Sequence, residues 1–328
     1  MRNCCGLSKS LFIAVVSVVL AFLLSGCSQQ QTEETPPERF PQIVSNQPIE
    51  WKDENLKKLV YDALMKDYSE DVYPYELSGI NRLFIMGNQR MIFGNKPSDC
   101  GLTEDGTGFH YKGIMLNDDR YQDVDRIFTE SVSMCLDDLR YFTDLTDLDI
   151  YLVNPQDMTV FSQLPKLKFL KAGLCDLSDL SGIENSPALI SVYMQYCNIT
   201  DISPLARLPL YNMDLKGNMI EDISPLALMD EVPSNLVLSY NNISDISPLA
   251  PNGRATVLAY LNLRNNNITD ISPLSEYTNI SILSLTYNNI ADVSPLTGLN
   301  RDNHIHLGGN PVENIDILKG FYTIYTAP

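Results

Sequence analysis

The sequence predicts an α/β fold: a solenoid with short parallel strands on its concave face and a helical N-terminal cap over its first coil. Two observations predict it. Asp-Ile-Ser-Pro-Leu, or a near copy, occurs five times, with prolines at Pro204, Pro225, Pro248, Pro273 and Pro295. Steps of 21, 23, 25 and 22 residues are far too short for domains and suit single coils, each of which hides its apolar side only against its neighbours. Between the copies run apolar stretches that alternate and end in Asn: "LYNMDLKGNMI", "NLVLSYNNI", "LAYLNLRNNNI" and "NISILSLTYNNI". Alternation of the Leu-x-Leu kind is that of a short strand with one buried face.

The elements follow in chain order. Arg2 and Lys9 precede an apolar run from Leu11 to Leu24. That run is shorter than the ~20 residues a spanning helix needs, and its positive start is that of a signal peptide, assigned to residues 1–26. Residues 27–48 are polar and contain Pro ("SQQQTEETPPERFPQIVSNQP"), with too little apolar surface to fold, and form a tether. In the cap, residues 49–79, Leu56, Leu59, Val60, Ala63 and Leu64 make one helical stripe with charges opposite, fit to cover the open end of a coil. Residues 80–144 hold the first coil, with Leu83 and Ile85 on its strand and Asn88 at its exit. Between Gln89 and Phe142 that coil is interrupted by an insertion rich in Gly and Asp, for which the sequence predicts no particular structure. Residues 145–316 carry eight repeat units. A weaker copy has Val153 in the Asn position; two others place Cys there, Cys175 after Leu167 and Leu170, and Cys197 after Leu189, Val192 and Met194. The last unit brings Ile305, Leu307, Asn310 and Val312 into register, and residues 317–328 form an end segment.

Within each coil the fixed residues have physical tasks. Asn218, Asn241, Asn266 and Asn288 fall where the chain leaves the strand, where a buried amide can bond unpaired backbone groups of its own and the adjacent turn. In Asp-Ile-Ser-Pro-Leu, Ser is expected to cap a short helical turn and Pro to start it. The Asp column (Asp201, Asp222, Asp245, Asp270, Asp292) invites a cation-binding reading, but turn-forming carboxylates that bond local backbone explain it more simply.

Stacked, the units give L-x-x-L-x-L-x-x-N-x-I, the leucine-rich-repeat pattern. The run "NxIxDISPLxxL" resembles the internalin-type, SDS22-like, bacterial repeat, and residues 49–68 resemble the helical cap of such proteins. That resemblance implies a concave sheet that binds another macromolecule, most often a protein. Leu24-Ser25-Gly26-Cys27 resembles the lipobox of bacterial lipoproteins. It implies that Cys27 is acylated (palmitate among its chains) and that the protein is exported and lipid-anchored, facing the outside or the periplasm. Two or more acyl chains anchor stably where one is marginal. The plainer alternative is a cleaved leader followed by an incidental Cys.

Composition excludes some functions. Lys and Arg total 23, two of them in the leader, which leaves 21 against 41 acids and a net charge of −20 beyond the leader. Such a balance opposes nucleic acid as a partner and adhesion to anionic lipid heads. No G-x-S-x-G, HExxH, Walker or CxxC pattern is present, so the expectation is a binding protein without cofactor, metal or enzyme activity. His304 and His306 point to one face but find no further ligands in sequence, and His110 lies in the insertion. "NDDRYQDVD" lacks the Gly and final Glu of a calcium loop. Cys175 and Cys197 read as small core residues in neighbouring coils; Cys100 and Cys135 flank the insertion, where an exported setting permits a bridge that sequence alone does not fix.

The candidate site is therefore the outward side of the strands, where residue type varies from coil to coil. Tyr151, Phe169, Tyr193, Tyr196, Tyr240, Tyr260, Arg264 and Tyr287 are expected to be exposed there, with Tyr196, Tyr240 and Tyr287 in one column just past the strand. Exposed aromatics and Arg are the types enriched at binding hot spots. A protein partner is the first reading and a carbohydrate-binding module, with tyrosines as sugar platforms, the second. An enzyme with its site in the insertion is the third.

Overall fold

The computed structural model describes residues 46–88, 90–93, 100–102, 109–111, 114–116, 131–251, 253, 257–321 and 323–326. The leader, Cys27 and most of the tether lie outside the described residues. Sixteen strands are formed among the described residues. Those from the cap to the first full repeat are β1 (Arg82–Met86), β2 (Arg90–Phe93), β3 (Cys100–Leu102), β4 (Phe109–Tyr111), β5 (Ile114–Leu116), β6 (Val132–Met134), β7 (Asp147–Tyr151) and β8 (Val153–Pro155). The repeats continue with β9 (Phe169–Gly173), β10 (Ser191–Gln195), β11 (Asn212–Asp214), β12 (Asn235–Val237), β13 (Tyr260–Asn262), β14 (Ile282–Ser284), β15 (His304–His306) and β16 (Thr323–Tyr325). One eleven-stranded sheet runs β2-β1-β7-β9-β10-β11-β12-β13-β14-β15-β16, parallel throughout except for β2, which pairs antiparallel with β1 at the edge. The eight expected repeat strands are β7 and β9 to β15, in the expected register, and the end segment adds β16.

Each coil closes on its opposite side through a short 3-10 turn, such as Ser224–Leu228 or Ser272–Leu274, rather than an α-helix. Its leucines and isoleucines meet those of the strands in one continuous core, with Leu215, Leu238, Leu263 and Leu285 wholly buried. The corner chemistry differs from expectation in one respect. Ser begins the turn, but the cap acceptor is the Asp two residues earlier: Asp222 Oδ1 accepts from Ser224 N at 2.7 Å while Ser224 Oγ donates to Asp222 Oδ2 at 2.9 Å. Asp245, Asp270 and Asp292 repeat the arrangement. The carboxylate accepts the two bonds on separate oxygens, a reach that a single hydroxyl oxygen does not have, and so the motif carries Asp as well as Ser. These bonds to backbone and hydroxyl hold the Asp245 and Asp292 carboxyls below their ordinary pKa.

The asparagines form a ladder. Asn241 Nδ2 donates to Leu215 O and Leu238 O, both at 3.0 Å, and its Oδ1 accepts from Ile220 N at 3.0 Å. Leu215 O in turn accepts from Asn218, and Leu238 O from Asn266, so each carbonyl serves two amides. Cys175 and Cys197 occupy the same station as buried free thiols, and Cys197 Sγ donates to Gln195 O at 3.2 Å. The residue before each ladder position is left-handed: Gly87, Leu152, Leu174, Tyr196, Gly217, Tyr240, Asn265, Tyr287 and Gly309 have φ between 50° and 73°. Every coil makes the same sharp exit from its strand, whatever residue stands there.

At the N-terminal end, helix α1 (Glu54–Leu64) is capped by Asp53, whose Oδ1 accepts from Asn55 N at 2.8 Å and Leu56 N at 2.9 Å. Leu56, Leu59, Val60 and Tyr61 are buried, while Ala63 and Leu64 are half-buried. Asp53 Oδ2 also accepts from Cys135 N at 2.7 Å, and the fully buried Asp138 accepts from Lys52 N and Asp53 N. The cap is thus bonded to the segment that follows the insertion. The interruption itself is located by the register. Gly87 N donates to Tyr151 O and Val132 N to Leu152 O, so the chain leaves the first coil at its strand exit and rejoins it at Val132. Between them β3, β4 and β5 form a separate antiparallel sheet. Cys135 is a free thiol, and the side chain of Cys100 lies outside the described residues.

Candidate binding surface

Three columns of side chains cross the outward face of the sheet. The first strand position carries Phe169, Asn212, Asn235, Tyr260, Ile282 and His304 across the coils. The middle position carries Asp149, Lys171, Tyr193, Asp214, Asn262 and His306. Two residues further on stand Tyr151, Gln195, Lys216, Ser239, Arg264 and Thr286, and past them the left-handed exit. Phe169, Tyr193, Tyr260 and Arg264 are half-buried on this face, and Tyr287 is 37% exposed. Burial raises the pKa of Tyr193 and Tyr260, with the Asp214 carboxylate adding to it in both.

Three of the expected contact residues are corrected. Tyr151, Tyr196 and Tyr240 are buried, at 1%, 6% and 8% exposure. Tyr151 packs on Phe84 of the preceding coil, ring centroids 5.7 Å apart. Tyr196 and Tyr240 sit at the left-handed exit, a geometry that lays the side chain along the stack of coils instead of out into solvent. The Tyr196 ring covers Gly217 of the next coil so closely that an added Cβ would lie 2.3 Å from its Cδ1 and Cε1; Tyr287 covers Gly309 in the same way. The glycine that follows Tyr196 one coil on, Gly217, was a legible signal that the Tyr196 ring is packed.

The rim residues interlock with cations. Lys216 Nζ lies 5.9 Å from the Tyr196 ring centroid and 5.4 Å from that of Tyr240. Arg264 Cζ lies 5.7 Å from the Tyr240 centroid and 4.6 Å from that of Tyr287, and Arg264 Nε donates to Tyr240 Oη at 3.0 Å. Lys171 Nζ stands 5.7 Å from the Tyr193 centroid. Lys171, Lys216 and Arg264, the cations described on this face from β9 to β13, thus each lie against a tyrosine ring, whose negative π-face attracts the charge without neutralising it.

Asp214, which the sequence did not mark as special, sits among them. Its Oδ1 accepts from Lys216 N at 3.1 Å and its Oδ2 from Gln195 Nε2. Burial pushes its pKa up to about 6 despite those bonds and the nearby Lys216 charge. Gln195 Oε1 is buried without a hydrogen-bond partner. At the far end His306 stacks on Tyr325, centroids 4.3 Å apart, and burial and the neighbouring His304 lower its pKa.

A one-sided parallel sheet, an Asn ladder and a left-handed strand exit in every coil define a leucine-rich-repeat solenoid. Residues 256–298 match the family described as Leucine Rich repeats (2 copies). Leucine-rich repeat-containing protein 56 of Homo sapiens is 38% identical over 79 residues, 24% of this chain and 15% of that protein. The chain therefore spans less than a fifth of the length of the curated relatives it matches. Among solved structures, an internalin (inlF) of Listeria monocytogenes is similar with a TM-score of 0.51 and 22% identity, covering 87% of this chain and 93% of that one. A leucine-rich-repeat protein of Leptospira interrogans gives 0.50 and 18%, over 57% of this chain and 50% of that one. At such identities the likeness is one of fold.

Proposed function

We propose that this protein is exported, anchored through an acylated Cys27, and binds another protein on its concave sheet without catalysing a reaction. One observation carries the binding reading. Half-buried Tyr193 and Tyr260, together with Arg264 and Tyr287, stand on a backbone whose strand exits are fixed by the Asn ladder. Rigid rings and an ordered guanidinium lose little freedom on binding, which is why such residues dominate interfaces. The lipobox resemblance and the polar tether support a domain held off a membrane.

Capture from envelope extract and host lysate with the protein from residue 46 onward tests the binding reading. Tyr193→Ala and Tyr260→Ala should weaken the captured partner by about tenfold or more, while Asp222→Ala and Asp270→Ala on the opposite side leave it unchanged. Loss with the convex variants and retention with the tyrosine variants would overturn the concave assignment; glycan-array binding without any protein ligand would favour the carbohydrate alternative. For the anchor, Cys27→Ser should move the protein out of the detergent phase. Unchanged partitioning would remove lipidation from the proposal.

A further inference from the structure

Arg264 differs from every other cation on this face by its surroundings. Its Nε bonds Tyr240 Oη, and its guanidinium rests on the rings of Tyr240 and Tyr287. Its own backbone N–H is taken by Asn262 Oδ1 at 3.1 Å, which fixes the strand exit that presents it. Among the described residues no carboxylate comes within ion-pair distance of it, although the chain holds 41 acids and a net charge of −18. Its neighbours are neutral: Ser239 and Thr286 on the adjacent coils in the same column, Asn262 and Ser284 in the middle one. Arg264 is half-buried, and among the described residues its terminal amino groups make no hydrogen bond, so their donors are left for a ligand.

The acids are sorted away from it. From Phe169 to Leu318 the only acid on a strand is Asp214, whereas Lys171, Lys216 and Arg264 all stand on strands or at their exits. The Asp222, Asp245, Asp270 and Asp292 carboxylates line the opposite side of the core. At physiological salt, charges more than ~8 Å apart are largely screened. A group reaching the concave face at Arg264 therefore meets a local cation, not the net negative charge of the chain.

We propose that Arg264, clamped between Tyr240 and Tyr287, is the anchor for a carboxylate of an acidic segment on the protein partner, received bidentately by its terminal amino groups. The inference rests on the concave-face reading and gives that partner its chemistry. A planar fork held by the hydrogen bond to Tyr240 and by the Tyr287 ring 4.6 Å away matches the geometry of a carboxylate and has already lost much of the rotamer freedom a free Arg would lose on binding. A dense polyanion such as nucleic acid fits less well. Lys216 is the next cation along the rim, and the Asp214 carboxylate stands beside it.

The test uses the mature chain and labelled oligoglutamate, with oligoglutamine and oligolysine of equal length as probes in fluorescence anisotropy. Oligoglutamate should bind, weaken as salt rises, and exceed the other two by at least about tenfold. Arg264→Gln should remove that preference. Arg264→Lys, which keeps the charge and loses the fork, should weaken it about tenfold, and Asp270→Asn should leave it intact. A merely structural Arg264 would not separate oligoglutamate from oligoglutamine. Absence of saturable oligoglutamate binding by the parent, equal binding of the two peptides, or tighter binding of a heparin oligosaccharide would overturn the proposal. The captured partner separates this from the broader reading. Loss with Tyr260→Ala but full retention with Arg264→Gln leaves the concave site standing without its carboxylate anchor, and retention with both removes the two together.

Discussion

Gly217→Ala tests the packing of the strand exit. Gly217 has φ +70°, and a Cβ there would lie 2.3 Å from two carbons of the Tyr196 ring. Two separate effects follow. The left-handed backbone costs a residue with a Cβ about 1–2 kcal/mol. The fold tolerates that part elsewhere, since Leu174, Tyr240 and Asn265 adopt the same conformation in other coils. The second effect is specific to this pair: the Tyr196 ring must leave its seat, an overpacking cost of about 1–3 kcal/mol. Gly217→Ala should therefore destabilise the solenoid by about 2–5 kcal/mol in urea unfolding followed by circular dichroism. In a Tyr196→Ala background the ring is gone, and the same substitution should cost only the backbone part, about 1–2 kcal/mol. The double-mutant cycle then returns a coupling of about 1–3 kcal/mol. Equal costs in both backgrounds would show that the ring does not press on Gly217 and would refute this account of why Tyr196 is buried.

Two further outcomes follow from buried polar groups. Asn241→Leu orphans Ile220 N and takes one of two bonds from each of Leu215 O and Leu238 O, so it should cost about 2–4 kcal/mol by the same unfolding assay; an unchanged midpoint would contradict the ladder. Asp214 has its folded pKa raised from 3.8 to about 6, so between those values the folded chain holds more protons than the unfolded one and stability falls as pH rises. Asp214→Asn should flatten that part of the stability profile and make the protein more stable at neutral pH, by at most about 3 kcal/mol. The amide can keep the bond from Lys216 N and offer a donor to the unpartnered Gln195 Oε1 after that side chain turns over. A profile as steep as the parent's would mean the carboxylate is not what titrates there.

Much of the fold was legible because it is periodic. The proline steps set the coil length, Leu-x-Leu set the strands, and Asn set their exits, so β9 to β15 fell in the expected register. The insertion was not legible as structure, since β2 to β5 carry no repeat and pair locally. β16 was missed because the end segment lacks the strand-exit Asn and the Asp-Ile-Ser-Pro-Leu corner that mark a coil, although the half-buried Ile324 continues the inward column after Ile305. The exchange of roles between Ser and Asp at the corner is a matter of hydrogen-bond capacity that spacing alone does not reveal. At the candidate site the columns were readable, but exposure was legible only at Tyr196, where Gly217 follows one coil on. Whether Tyr240 or Tyr260 faces solvent depends on backbone conformation at the exit, and a tyrosine at φ +58° reads in sequence like any other.

That dependence bears on how such a scaffold can vary its specificity. A residue at the left-handed exit packs along the stack, so a change there alters the neighbouring coil before it alters the surface, as the Tyr196 and Gly217 pair shows. A residue at the first or middle strand position, such as Tyr260 or Tyr193, has only its flanking coils to satisfy and can change with little effect on the core. Arg264 joins the two classes, because its backbone belongs to the exit and its guanidinium to the face. Replacing the rim tyrosines should therefore act on a partner through the set of the Arg264 fork, whereas replacing Tyr193 or Tyr260 should act by direct loss of contact. The rim orients, and the open columns select.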